Sequence, residues 1–298
     1  MSRGLFLRAA VFAILSLPTF CLAQEVTIKK SQPKVGDVLG TTEHSSSAND
    51  IKLFQKGKLI QTLKQKAEEL RSDTITILAC DGDKIRKLKV HVKKNEKKQS
   101  VGVGPDSKKS LLVGKTFILE KKGETIVATD ESGKKLADDM AKEARYEYAD
   151  ELGEYKNEFN KIIPDRALKV GETIKVPEKM AQSFFNSKQE KSPLKVTHFT
   201  LTLKGTKKVN NVDVAIFDIL VKFSGSPAAG SKVSVEMKGP LHIGVNNCYP
   251  YLMNISGTMT IEGKEQGLDI KGAGQNKLKK TGSYTKSAKT KQPKSGQK

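Results

Sequence analysis

The sequence predicts an α+β protein built mostly from antiparallel strands in a meander or partial barrel. Three observations support this fold class. Short apolar–polar alternations separated by turn residues recur in both halves of the chain. One helical pattern lies between the halves, over 136–159, and the residues from Lys277 onward are rich in lysine. We therefore expect a β-rich part (24–133), a helix (134–161), a second antiparallel part (162–276) and a disordered basic tail (277–298).

Residues 1–23 have the pattern of a secretory signal peptide. Arg3 and Arg8 precede an apolar run from Ala9 to Phe20, and Cys21-Leu22-Ala23 supplies the small-residue exit. The run is too short for a membrane-spanning helix, which needs about 20 residues. We expect cleavage before Gln24, a secreted or periplasmic location and no membrane span in the mature chain. An uncleaved anchor and a lipoprotein attached at Cys21 are the alternatives.

The N-terminal part contains several strand patterns. Val26–Ile28 predicts a first strand, and 41–50 predicts a polar loop. The stretch 59–70 has leucines at helical spacing, but the β-like sequence after it favours a strand. Alternation on both sides of Asp81-Gly82 predicts a hairpin, and 111–128 predicts another.

The region between the two parts predicts one long helix. Apolar residues from Leu136 to Phe159 recur every three or four positions, and no Pro interrupts them before Pro164. A stripe of five glutamates, from Glu143 to Glu158, runs beside the apolar one. Local ion pairs at a solvated surface are the simpler interpretation of this stripe, and a docking strip for a basic segment is the alternative.

The C-terminal part has the clearest strand patterns. Phe199–Leu203 alternates apolar residues with Thr, as a half-buried antiparallel strand does. Asn210-Asn211 predicts a turn. The predicted strands are Val196–Leu203, Val212–Phe223, Lys232–Met237, Leu241–Val245, Tyr251–Glu262 and Gly267–Ala273.

The charge distribution suggests a partner. The chain carries a formal net charge of +20, and an exported protein this basic meets anionic polymers and lipid surfaces. The segment from Lys277 contains no acidic residue, and it holds too little apolar surface to offset the entropy of ordering. We expect its lysines to bind an anionic surface; the candidates are Lys277, Lys279, Lys280, Lys286, Lys289, Lys291 and Lys294.

Two cysteines follow the predicted cleavage site, Cys80 and Cys248. In an oxidising compartment such a pair is a disulfide candidate. Two separate buried thiols are the alternative, since the sequence cannot bring their Cα atoms within the roughly 4.4–6.8 Å that a bridge needs.

Candidate motifs for catalysis and for metal binding lack the residue spacing that their chemistry requires. Gly114-Lys115-Thr116 lacks the earlier glycine of a phosphate-binding loop, and a strand pattern follows it instead of a helix. His44, His91, His198 and His242 are not paired at metal-ligand spacing. We therefore expect no enzyme activity, no cofactor, no metal site and no specific nucleic-acid partner.

Several short motifs occur along the chain: Leu78–Gly82, Leu112–Phe117, Leu168–Thr173 with Val176-Pro177, Leu203–Gly205 and Val212–Phe217. Together they resemble a family of secreted bacterial proteins of unknown function that is common in planctomycetes. The chain departs from that family at Ile174, where Trp is frequent. The resemblance implies a curved antiparallel sheet with a helix, similar in outline to periplasmic lipoprotein carriers, and it implies no site residues.

Two functions follow as expectations. The first is an envelope-associated binding or structural protein whose basic tail contacts an anionic surface. The alternative is a carrier of an apolar ligand such as a lipid, held on the inner side of the sheet beneath the helix.

Overall fold

The computed structural model describes residues 25–101, 105–155, 157–185, 194–226, 230–265 and 267–286. The predicted signal peptide, 1–23, lies outside these residues. Over the described ranges the chain is mostly antiparallel β-structure with few helices, as the sequence predicts. None of the helices in these ranges has the length and apolar character needed to cross a membrane.

The strands and helices follow one another along the chain. The strands are β1 (Glu25–Val26), β2 (Val38–Gln55), β3 (Lys58–Asp81), β4 (Lys84–Val101), β5 (Pro105–Lys109), β6 (Thr116–Lys122), β7 (Thr125–Thr129), β8 (Gly153–Glu154), β9 (Leu168–Lys169), β10 (Thr173–Lys175), β11 (Leu194–Val209), β12 (Val212–Gly225), β13 (Ser231–Gly244), β14 (Pro250–Glu265) and β15 (Leu268–Thr285). The helices are α1 (Asp138–Tyr148), α2 (Glu158–Ile162) and α3 (Glu178–Phe185), with a 3₁₀ turn at Ala149–Glu151.

One large sheet contains both β-rich parts of the chain. Its strand order is β10-β11-β12-β13-β14-β15-β2-β3-β4-β6-β7, with β5 and β8 also paired to β4, and it is not closed into a barrel. β1 and β9 pair separately. The order shows that the two predicted parts are not independent units, because β15 from the C-terminal part pairs along its whole length with β2 from the N-terminal part.

The predicted disordered tail is wrong for the residues up to Thr285. Lys277, Lys279 and Lys280 lie inside β15, where Lys277 pairs with Ser256 of β14 and with Ser46 of β2. We call β15 the joining strand, because it connects the two halves of the sheet. Composition misleads here because strands whose faces meet water contain few apolar residues.

The central strands are unusually long. β3 has 24 residues and β2 has 18, against about 3–10 in most strands. β3 confirms the predicted strand over 59–70, whereas the predicted polar loop over 41–50 is wrong, because β2 runs through it. The two-residue turns Lys56-Gly57 and Asn210-Asn211 have positive φ at both positions, as type I′ hairpins require.

The predicted long helix is also wrong beyond its first half. α1 ends at Tyr148, and Gly153 then adopts φ +92°, a left-handed conformation that ends helical geometry. Gly153 and Glu154 pair with β4 instead. The helical spacing persists because Tyr148 and Phe159 are both buried, but they are buried in different clusters.

Two buried apolar clusters lie on the same side of the sheet. The first forms where β11–β14 pack against α2 and α3, with Phe199, Phe217 and Leu241 at its centre. The second forms where β3, β4 and β6 pack against α1, with Leu88, Phe117 and Tyr148 at its centre. Directly paired residues of antiparallel strands share a side, so we call this side the core face and the opposite side the open face.

Candidate functional site

The candidate site is a cleft on the core face, between the two clusters. Its volume is about 490 Å³. Residues of β2, β3, β14 and β15 line one side, and residues of α3 and of the segment 149–162, which we call the crossing segment, line the other. The cleft exists because the chain crosses from the second cluster to the first without filling the space between them.

Hydrogen bonds hold the crossing segment in place. The Asn157 amide nitrogen donates to Ser31 Oγ at 3.0 Å and to the Cys248 carbonyl at 2.9 Å. The Asn157 side-chain oxygen caps α2 by accepting from the Phe159 N–H at 3.2 Å. Asn160 donates to the Ser31 carbonyl at 2.9 Å and accepts from its N–H at 3.2 Å. The crossing segment is therefore hydrogen-bonded to the N-terminal segment and to the loop before β14.

One end of the cleft is apolar. Phe184 contacts the rings of Phe159 and Phe185 edge-on, with centroid distances of 5.1 and 4.9 Å. Met253 and Leu278 line the cleft from β14 and the joining strand. These residues belong to the first cluster or pack against it, so the apolar end is an uncovered edge of the protein core.

The other end of the cleft is polar, and its cations are already paired. Arg71 Nε donates to Asp73 at 2.9 Å and Arg71 Nη1 to Glu147 at 3.3 Å. Lys280 Nζ lies 3.5 Å from Glu43. Because protein carboxylates pair with both cations, the described residues at this end offer no free positive charge to capture an anionic head group.

A buried network supports the polar end. Asp73 is only 4% exposed, and it accepts a hydrogen bond from the Tyr148 hydroxyl at 3.1 Å. Arg71 lies over the Tyr148 ring, 4.8 Å from its centroid. Burial and the neighbouring Asp73 raise the pKa of Tyr148, so the hydroxyl stays a hydrogen-bond donor at neutral pH. Burial opposes the charge of Arg71, but Tyr148, Asp73 and Glu147 outweigh it and raise its pKa.

Tyr249 lines the remaining wall, and Tyr284 contacts its ring with a centroid distance of 5.7 Å. The Tyr249 hydroxyl donates to the Gly40 carbonyl at 3.3 Å, and the Tyr284 hydroxyl donates to Asp37 at 2.7 Å. Burial raises the pKa of Tyr249 to about 12. The Tyr249 hydroxyl is neutral and committed to a structural hydrogen bond, so it acts as polar lining rather than as an acid or a base.

The structure separates the lysines predicted from the sequence. Lys277 and Lys279 are exposed on the open face, whereas Lys280 is on the core face in its ion pair with Glu43. Lys286 directly follows the joining strand and is exposed. Lys289, Lys291 and Lys294 lie outside the described residues. The first three lysines therefore do not form the flexible tail that we expected.

The glutamate stripe serves local contacts. Glu147 pairs with Arg71, Glu158 pairs with Lys161 at 3.2 Å, and Glu143 accepts from the Leu111 N–H at 3.2 Å. The bend after α1 also breaks the stripe into separate pieces, so these glutamates do not form a continuous docking strip. In the described ranges, no three His, Cys, Asp or Glu side chains converge to hold a metal ion.

The candidate disulfide is wrong in this structure. Cys80 and Cys248 are both free; Cys248 is buried in the first cluster, and Cys80 is half-buried against the second. Burial raises the pKa of the Cys248 thiol to about 12. The clusters lie on either side of the cleft, which explains why the two thiols do not meet.

Thiol titration checks this arrangement. In a chain that starts at Gln24, we expect Cys80 to react with a disulfide reagent in the folded state and Cys248 to react only after unfolding, because the thiolate is the nucleophile and burial suppresses it. Cys80→Ser should abolish the folded-state reaction. An unreduced chain that shows no free thiol after denaturation would instead establish the bridge.

Few of the residues that build the cleft were singled out from the sequence, and those that were, such as Lys280, Glu151 and Glu158, were assigned other roles. Arg71, Asp73 and Ile75 alternate on β3 and so share the core face, but nothing local shows what they face. Phe184-Phe185 is the one visible signal, an aromatic pair at the end of a short amphipathic stretch.

Comparisons with known proteins identify no family. No protein-family model matches the chain, and no curated protein matches it in sequence. Among solved structures, one of lipovitellin, described as showing lipid–protein interactions, aligns with 86% of this chain at a TM-score of 0.38 and 6% sequence identity. The chain spans only 26% of that protein. An outer membrane channel from Pseudomonas putida F1 matches 86% of this chain and 98% of its own, with a TM-score of 0.20 and 7% identity.

Proposed function

We propose that this chain is a non-enzymatic binding protein, acting outside the cytoplasm, that holds an amphipathic, lipid-like molecule in the cleft. One observation supports this proposal most directly. The cleft has an apolar end rich in Phe and a polar end at which Arg71 and Lys280 are paired with protein carboxylates. The volume of about 490 Å³ lies within the range of about 300–1,000 Å³ that is typical of small-molecule sites.

An apolar track lies on the core face near the Lys56-Gly57 turn, separated from the cleft by the polar residues Ser45, Ser47 and Asn49 of β2. Ile51 of β2 pairs with Leu63 of β3 and with Gly272 of the joining strand, and Gly272 pairs with Ile261. Leu53 pairs with Ile270 one row further on. All five apolar side chains are half-buried. The track consists of Ile51, Leu53, Leu63, Ile261 and Ile270.

The charges of the cleft restrict which kind of polar head group it can bind. Four carboxylates line it, Glu43, Asp73, Glu151 and Glu158, against two cations, Arg71 and Lys280. Among the described lining residues, an anionic head group would meet these carboxylates and no unpaired cation. The arrangement favours a neutral or zwitterionic polar end.

Filling the cleft tests the proposal. Thr41 lines it, and the directly paired residue is Gly282, so a larger side chain at this position projects into the space. We expect Thr41→Phe to weaken binding of lysophosphatidylcholine at least about tenfold, which corresponds to about 1.4 kcal/mol. Native mass spectrometry of the delipidated chain, titrated with this lipid, measures one-to-one adducts.

The neighbouring Thr42 gives a matched control, because it is on the open face of the same strand and bonds to Ser72 at 2.9 Å. Thr42→Phe should bind the lipid as the parent chain does. Equal adducts on all three chains would place the ligand elsewhere, and no adduct on the parent chain would overturn the proposal.

Attachment to an anionic envelope surface through the C-terminal lysines is a separate expectation. It now concerns Lys286, Lys289, Lys291 and Lys294, because the other candidates lie within the joining strand. A chain ending at Lys286 should keep its fold and show weaker salt-sensitive retention on an anionic column if Lys289, Lys291 and Lys294 attach the protein.

A further inference from the structure

The hairpin formed by β2 and β3 ends in a segment of unusual composition. Residues 51–66 contain five lysines, six large apolar residues and no acidic residue. The chain reverses at Lys56-Gly57, and the turn between β14 and the joining strand lies alongside, because Leu268 pairs with Gln55. We call residues 51–66 the hairpin tip.

Two large apolar side chains at the hairpin tip face water. Leu59 is 54% exposed and its neighbour Ile60 is 52% exposed, whereas Ile51, Leu53 and Leu63 of the same hairpin are half-buried in the track. Removing such side chains from water is favourable by roughly 25 cal/mol for each Å² buried. An adjacent exposed pair at this end of the sheet is therefore placed to enter an apolar phase.

The lysines of the hairpin tip form no ion pair with any side chain that the structure describes. Among the side chains that the structure describes, ion pairs engage lysines such as Lys87, Lys222 and Lys280 but none of the five in the hairpin tip. Lys271 of the joining strand adds a sixth cation nearby, with its Nζ 5.9 Å from the centroid of the Phe54 ring. The hairpin tip thus combines exposed apolar side chains with unpaired positive charge.

We propose that the hairpin tip docks on an anionic lipid bilayer, with Leu59 and Ile60 entering the interfacial region and the lysines contacting head groups. A soluble polyanion would engage the lysines but leave Leu59 and Ile60 in water. A second copy of the chain would cover the apolar pair but bring lysines against lysines. The bilayer is the partner that satisfies both features.

The docked orientation brings the apolar track to the membrane. Ile51, Leu53 and Leu63 belong to both the hairpin tip and the track. The proposal does not depend on what the cleft binds, and a chain with a blocked cleft should still dock.

Vesicle flotation tests the docking. The full mature chain should bind vesicles of equal parts phosphatidylcholine and phosphatidylglycerol and float poorly with phosphatidylcholine alone. Each lysine near an anionic surface contributes about fivefold to binding, so Lys56→Gln/Lys58→Gln/Lys64→Gln should lower partitioning on the order of a hundredfold. Leu59→Ser/Ile60→Ser should lower it at least about tenfold.

Matched controls exist at positions away from the hairpin tip. Lys204→Gln/Lys207→Gln/Lys208→Gln makes the same charge change near the Asn210-Asn211 turn, at the opposite end of the sheet. Leu111→Ser removes a side chain that is 56% exposed and lies outside the hairpin. Both should keep vesicle binding within about threefold of the parent, and circular dichroism verifies that every variant is folded.

A tryptophan probe distinguishes insertion from surface attraction. The chain contains no Trp, so Ile60→Trp places a single indole at the hairpin tip. Its emission should shift to the blue on mixed vesicles and be quenched by brominated lipid, while Leu111→Trp should show neither change. An unshifted emission from vesicle-bound Ile60→Trp, or undiminished flotation of Leu59→Ser/Ile60→Ser, would overturn the proposal. Tip-dependent dimers in sedimentation without vesicles would identify a second copy as the partner and overturn it as well.

Discussion

A chain that ends at Asn276 is expected to lose cooperative folding. The deletion removes residues 277–285 of the joining strand, which pair with β2 on one side and, up to Thr281, with β14 on the other. Each ladder hydrogen bond is worth about 1 kcal/mol net, and a residue inside a sheet makes about two. The lost ladder is therefore comparable with the whole stability of an ordinary domain, about 5–15 kcal/mol.

Two further contacts disappear with this segment. Leu278 packs against the first cluster, and the Tyr284 hydroxyl bonds to Asp37 at 2.7 Å. Urea unfolding followed by circular dichroism measures the effect, and a chain ending at Lys286 is the matched control because it keeps the entire joining strand. If the chain cut at Asn276 unfolded with the same midpoint as the control, the strand would have no structural role.

The second large effect is expected at Asp73. Asp73→Ala removes the acceptor of the Tyr148 hydroxyl and a carboxylate partner of Arg71. Breaking a buried pair by removing one partner costs about 3–5 kcal/mol, because the remaining charge and donor stay desolvated. We expect the free energy of unfolding in urea to fall by about 3 kcal/mol, since Arg71 keeps its contact with Glu147.

The same strand supplies a control for Asp73. Glu68 pairs with His44 at 2.7 Å on the open face, where both side chains are about half exposed, so Glu68→Ala should change stability by less than about 0.5 kcal/mol. In a Tyr148→Phe background the hydroxyl that Asp73 accepts from is absent, and Asp73→Ala should cost less. Equal costs in both backgrounds would contradict the hydrogen-bonded network.

The sequence predicts the strands of the C-terminal half well, because their apolar residues alternate and one face is buried. β11 and β12 extend the predicted Val196–Leu203 and Val212–Phe223, and the Asn210-Asn211 turn is confirmed. The single sheet was not predictable in the same way. Pairing between β2 and the joining strand depends on contacts more than 200 residues apart, for example Val38 with Thr285, and local alternation carries no information about such partners.

Two errors have one physical origin. Lys277–Thr285 was predicted to be disordered and 41–50 a loop, because both are polar; yet they pair with each other in the middle of the sheet. Long strands beyond the two clusters meet water on their open face and gain order from backbone pairing rather than from a large apolar core. The prediction of one long helix was wrong for a different reason. Its periodic apolar residues are buried on either side of a bend that Gly153 permits.

The cleft itself could not be predicted, since it lies where two clusters fail to meet. Arg71 and Phe184 are separated by more than 100 residues but line the same space. Their convergence follows from the strand order and the path of the crossing segment, both of which are tertiary properties.

The position of the joining strand also sets the order of assembly during synthesis. Ribosomes make the N-terminus first, so β2 and β14 both emerge before the strand that pairs with them, which contacts β2 from Leu268 to Thr285 and β14 from Leu268 to Thr281. Until the joining strand is available, the chain has two long unpaired strand edges, which in general promote aggregation. The two halves of the sheet therefore become one only after the joining strand has been synthesised and has paired with both neighbours.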